Sequence, residues 1–234
     1  MSIFKRAIWF AFAASLSLLA LVGLTPQDAG AITFNVEGTV TWVGANMSGT
    51  FAPGQTLSGS YTFNSATPDI LPADPTYGYY QGAVTALHFT VGPYTGTLAA
   101  GPSPFNFIWV LNNYNFPARD EYNLNVPFSG ANVGGLAPYQ FQLGFADFTA
   151  SVFSSDALIL SPPDLSLFDP AERLFLVYFD TATPCQDFFT AGPCNIYGNV
   201  TSWTLATPEP GALALLGVGL AGMAGLAWRR GPRK

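Results

Sequence analysis

Two kinds of hydrophobic pattern divide the chain. At either end apolar residues run together without charge; between the ends they alternate with polar ones. From Ile32 the period is two, with Phe34, Val36 and Val40 set against Thr33, Asn35, Glu37 and Thr41. Such alternation reads as a strand with one face buried. The same reading holds at 56–63, 79–91, 94–98, 105–111, 122–126, 139–148, 157–160, 174–179 and 196–205. Turn residues separate these stretches, among them Pro53-Gly54 and the Pro68, Pro72 and Pro75 loop of 64–78. No part of this body sustains a 3.6 period. Only 169–174 has a helical start, with Asp169 placed to cap and Pro170 at the first position. About ten short strands with turn signals between them predict an all-β domain over residues 32–206. The expected architecture is a jelly-roll-like β-sandwich.

The two uncharged runs belong to export rather than to the fold. Residues 1–31 begin with Lys5-Arg6, continue through an apolar stretch at 7–24, and break at Thr25-Pro26-Gln27-Asp28. Ala29-Gly30-Ala31 then supplies the small-x-small pattern of a signal-peptide cleavage site, and cutting is expected after Ala31. An uncleaved anchor is the alternative. Residues 207–234 hold Pro208-Glu209-Pro210, an uncharged stretch at 211–228, and a basic end with Arg229, Arg230, Arg233 and Lys234. A stretch of about 18 such residues crosses a bilayer core as one transmembrane helix. The basic tail holds its own side in the cytoplasm. Pro208 and Pro210 bias the preceding residues toward extended backbone, at the opposite face of the membrane. Gly217, Ala221 and Gly225 recur every fourth residue, a spacing that permits close helix contact.

In order and spacing, Pro208-Glu209-Pro210, the Gly-rich stretch 211–228 and the basic end 229–234 resemble the PEP-CTERM sorting signal of bacterial exported proteins. The resemblance covers 207–234. It implies an exosortase-type membrane protease that recognises the triplet and cuts near it. It implies an inner-membrane intermediate and then a cell-surface or extracellular product. It also implies an association with exopolysaccharide and biofilm. A second, looser resemblance to exported bodies of this family lies in Gly59-Ser60-Tyr61-Thr62-Phe63 and Tyr80-Gln81-Gly82-Ala83-Val84. It implies a shared sandwich-like body and no activity. A permanent C-terminal anchor is the alternative to a cut signal.

Charge sharpens the picture. The chain has 234 residues and a net charge of −6, but six of its eight basic residues lie in the terminal segments. Twelve acidic residues face only Arg119 and Arg173 in the body, about −10. Such a body is not a nucleic-acid binder, because that binding needs Lys and Arg to neutralise phosphates. Anionic lipid should repel it too. Charged residues are only 9% of the chain and aromatics 15%, which argues against disorder and for a packed core. Asn, Gln, Ser, Thr and Tyr are then expected to cover the surface.

Candidate chemistry is sparse. Cys185 and Cys194 are the only cysteines, and in an oxidising compartment they are expected to pair. His88 is the sole histidine, in a strand pattern and on its polar face. No Gly-x-Ser-x-Gly elbow accompanies it. Carboxylates fall in short-range pairs: Asp69 with Asp74, Asp164 with Asp169, and Asp120-Glu121. Such pairs serve glycoside hydrolysis or Ca²⁺ binding, but neither has its signature here. The expectation is turn carboxylates, no catalytic residue, no metal site and no cofactor, with structural Ca²⁺ as the alternative. Tyr77, Tyr79 and Tyr80, with Tyr114 and Phe116 in an Asn-rich turn, are a candidate sugar surface. A carbohydrate-binding module or adhesin is therefore the rival function. Asn46-Met47-Ser48 and Asn199-Val200-Thr201 fit the N-glycosylation pattern, which means little by itself in a bacterium.

Overall fold

The computed structural model describes residues 30–115, 118–180 and 192–206. Ala29, Cys185, Phe116, the Pro208-Glu209-Pro210 triplet, the stretch 211–228 and the tail residues Arg229, Arg230, Arg233 and Lys234 lie outside them.

Ten strands form among the described residues. They are β1 (Ala31–Val43), β2 (Thr56–Asn64), β3 (Tyr77–Gln81), β4 (Val84–Val91), β5 (Tyr94–Leu98), β6 (Phe107–Asn115), β7 (Ala118–Gly130), β8 (Pro138–Asp147), β9 (Leu174–Phe179) and β10 (Asn195–Leu205). Every pairing is antiparallel. Eight strands close on themselves in the order β1-β2-β4-β5-β7-β8-β9-β10 and back to β1. The all-β expectation stands; the sandwich is corrected to a closed barrel. Alternation looks the same in both, because each buries one face of every strand. The pairings of β10 with β1 and of β5 with β7 decide it. Closure removes the sheet edges that a sandwich must protect.

The other two strands make a side ribbon. β7 is long enough to be shared: its end pairs with β5 through Phe128, Ser129 and Gly130, and residues 118–125 pair with β6. β3 then adds to β6. The stretch 79–91 is therefore not one strand but parts of two. Gly82, at φ 73°, turns the chain between them in a backbone region that a side chain disfavours. The stretch 157–160 is not a strand; Leu160 is exposed. The helical start at 169–174 is a 3₁₀ turn, Pro170–Glu172, with Asp169 accepting from the Ala171 N–H at 2.9 Å.

Eight strands leave an interior just wide enough for side chains to fill. Here large rings fill it, with Phe34, Tyr61, Phe89, Tyr122, Phe141 and Phe175 at 0–1% exposure. Three of the polar ring atoms satisfy one another. Trp203 Nε1 donates to Tyr61 Oη at 3.1 Å, and Tyr61 and Tyr122 hydroxyls lie 3.0 Å apart. Burial pushes both tyrosine hydroxyls well above their ordinary pKa.

The chain enters and leaves the barrel at one end. Phe34 of β1 lies opposite Leu205 of β10, and the Ala206 N–H donates to Thr33 O at 2.9 Å.

Candidate functional site

Strand period two places odd-numbered residues of β3, β6 and β7 on one outer face, continued by even-numbered residues of β8 and β9. One row across that face runs Tyr79, Trp109, Asn123, Gly144, Leu174. The next runs Gln81, Phe107, Asn125, Gln142, Leu176. Tyr79, Phe107 and Trp109 stack in series, with ring centroids 5.0 and 5.3 Å apart. Tyr77 meets Tyr79 and Trp109 edge-on.

Gly144 leaves a gap in its row, and a cleft of about 330 Å³ opens there, with Trp109, Arg119, Glu121, Asn123, Gln142 and Phe148 on its walls. Phe145, Ala146, Glu172, Leu174 and Leu176 complete the lining. Glu121 is held at both oxygens. Trp109 Nε1 donates to Oε1 at 3.1 Å, and Arg119 Nε lies 2.9 Å from Oε2 as an ion pair without hydrogen-bond geometry. Burial raises the Glu121 pKa above its ordinary value and the Glu172 charge adds to that; Arg119 and the Trp109 bond oppose it.

Four amides on this face are unusual. Asn123, Asn125, Gln140 and Gln142 are 7%, 4%, 2% and 1% exposed, and each leaves one side-chain atom without a hydrogen-bond partner. Asn and Gln were expected on the wet surface. Sequence reasoning picked out neither Trp109 nor any of these four. The available signal was the alternation Asn123-Leu124-Asn125 and Gln140-Phe141-Gln142, which sets amides against apolar residues on two strands.

The sequence-derived tyrosines divide. Tyr77 and Tyr79 are half-buried beside Trp109, and Tyr114 is exposed, 6.2 Å from Tyr77 between centroids. Tyr80 is buried on the opposite face of β3, where its hydroxyl donates to Asp156 O at 2.9 Å. Burial, with Asp69 and Asp156 nearby, pushes its pKa up to about 12.

The carboxylate pairs do not converge. Asp69 accepts from the N–H groups of Leu71 and Tyr79, and Asp74 from Thr76. Asp164 and Asp169 each cap their own 3₁₀ turn. Asp120 and Glu121 project to opposite faces of β7. Asp120 is fully buried and accepts from the N–H groups of Asn113, Val152 and Phe153 at 2.7–2.8 Å. Among the described residues no group of three or more His, Cys, Asp or Glu could hold a metal ion. His88 is exposed on β4, between Ser60 and Thr97. Cys194 is buried, its Sγ accepting from Asn46 Nδ2 at 3.4 Å, and no described cysteine is a free thiol. Asn46 and Asn199 are both exposed.

The described residues thus define an all-β barrel whose last strand runs directly into a C-terminal sorting segment. Residues 206–233 match the PEP-CTERM protein-sorting motif, the signal of exosortase substrates. The resemblance seen in 207–234 is this motif, and it supports export to the cell surface or the extracellular space. No curated protein and no solved structure matches the chain. Among the described residues no helix is long and apolar enough to cross a membrane; the stretch 211–228 is not one of them.

Proposed function

We propose that the chain is a non-enzymatic surface or matrix protein, held at the inner membrane by both ends and freed by an exosortase-type protease near Pro208-Glu209-Pro210. The motif match over 206–233 carries this reading. The barrel adds support, because its last backbone bond is made by Ala206, next to the strand that follows the signal peptide. Both membrane-directed segments leave from one end, so the barrel can fold while each is engaged. Removing the signal peptide after Ala31 leaves the β1 pairing from Ile32 onward intact. In this reading 211–228 is a temporary transmembrane stop, and its small-residue face docks on the protease. The product joins exopolysaccharide or biofilm material, as the family association implies. A Cys185–Cys194 bond then pins the chain ahead of β10.

The test is to replace Pro208-Glu209-Pro210 with three alanines and follow the size, location and C-terminal residue of the product. The altered chain should stay membrane-bound and longer than the native product. Unchanged size and location would leave only a permanently anchored barrel.

A further inference from the structure

We infer that the outer cleft between Trp109 and Gln142 binds a neutral, hexose-type oligosaccharide. The inference concerns the barrel alone and does not rest on the sorting reading.

The cleft is a built site. An amide buried without a partner costs about 1–3 kcal/mol, so a row of them is retained only where something repays it. Asn123 and Gln142, both more than nine-tenths buried, are among the residues lining the cleft, and each has one side-chain atom without a hydrogen-bond partner. Asn125 and Gln140 continue the row in the same state. An amide can turn end for end, so the orphan is an acceptor in one setting and a donor in the other. Hydroxyl groups answer both, because each donates and accepts. A polyol seated in the cleft therefore offers partners to Asn123 and Gln142 whichever way their amides are set.

The remaining walls select among polyols. Trp109 offers flat apolar area of the kind that covers the C–H face of a sugar ring. Phe148, 47% exposed, gives a second aromatic wall. Glu121, held in place by the Trp109 hydrogen bond and the Arg119 charge, is a fixed hydrogen-bond acceptor for a ligand hydroxyl. Charge excludes acidic sugars. Glu121 and Glu172 outnumber Arg119 in the cleft, and Arg119 is already paired. The other body arginine, Arg173, is spent on the carbonyls of Phe168 and Ser166. The cavity lies at the small end of ligand sites, room for about one or two sugar rings.

The test uses the full chain, purified in a detergent without a sugar headgroup. Titration calorimetry is run with cello-, malto- and galacto-oligosaccharides, and with oligogalacturonate as the acidic control. At least one neutral series should bind and oligogalacturonate should not. Trp109→Ala should weaken binding about tenfold or more, and Gln142→Ala severalfold. Gly144→Val should block the cleft without loss of fold, because the nearest atom to an added Cβ there is Asn123 Nδ2 at 3.6 Å. That variant decides the matter if Trp109→Ala does not fold. Tyr114→Ala, outside the cleft, should bind as the native chain does. No binding by any neutral series, preference for the uronate, or full binding by Gly144→Val overturns the inference.

Discussion

Asp120 faces Asp147 across β7 and β8, and backbone N–H groups surround both. Asp147 accepts from Thr149 and Ser151, each through its N–H and its hydroxyl, at 2.6–3.1 Å. Together the two carboxylates staple residues 149–153 to the barrel. Asp120→Ala would leave three N–H groups without their acceptor at once, that of Phe153 buried and those of Asn113 and Val152 part-buried. It should cost about 2–4 kcal/mol, read as a drop in urea midpoint at unchanged slope. A midpoint shift within error would show that the loop is held by something else. The sequence pairing of Asp120 with Glu121 failed at this scale for a simple reason. Neighbours on a strand point apart, and the true partner of Asp120 lies 27 residues away. Asn123 and Gln142 were missed because polar residues in alternation read as solvated, and burial of that face is decided by the tertiary structure.

At the scale of elements, the fork in β7 makes the site. Had β7 been long enough only for a barrel wall, the stacked rings of β3 and β6 would have no amide row beside them. The fork is held where the strands part. Asn106 accepts from the Val84 N–H at 3.2 Å and donates to Val84 O at 2.8 Å, lacing the start of β4 to the residue before β6. On the far side of the barrel, Gly38 and Gly198 make room for the Phe175 ring; a Cβ on Gly198 would strike that ring and the Thr39 carbonyl. Both cysteines fall, in sequence, between β9 and β10. Cys194 is buried one residue before β10, beside Asn46. In the exported protein, mass spectrometry should find both thiols resistant to alkylation until a reductant is added. Closing a loop of about ten residues is worth roughly 2.7 kcal/mol in the chain-entropy account, and reduction should lower stability by that order. Free alkylation without reductant would remove the bond. Strand existence was legible because period-two stretches are local. Strand assignment to neighbours was not, which is why 79–91 looked continuous across Gly82.

The whole molecule is an acidic barrel, and its stability should bend with pH in two directions. Hydrogen bonds from Thr76 lower the Asp74 pKa below its ordinary 3.8. Those from Ser166 do the same for Asp164, helped by the Arg173 charge. Burial pushes Asp147 up, but its bonds to Thr149 and Ser151 outweigh this and leave it lowered. Folding therefore gains from these three above their ordinary value, and the gain is lost as pH falls through their lowered values. Glu121 has the opposite sign: its folded value lies above 4.5, so its contribution is present below 4.5 and is lost as pH rises through the raised value. Urea melts across the acid range should show a loss below about pH 4, from the aspartates, kept modest by the solvent exposure of Asp74 and Asp164. Just above the ordinary Glu value they should show a shallow opposing slope, which Glu121→Gln abolishes. The same slope surviving in that variant would mean another group carries it.

What the sequence determined by itself was what local chemistry can carry. Hydrophobic period marked most strands, and the Pro-Glu-Pro, apolar and basic order marked the sorting signal at 207–234. These depend on near neighbours along the chain. Only the tertiary structure decided that the sheet closes, that β7 forks, and that Trp109, Asn123 and Gln142 share a cleft. Those facts rest on hydrogen-bonded pairing between strands distant in sequence, and a strand's own pattern says which face is buried but not what lies beside it.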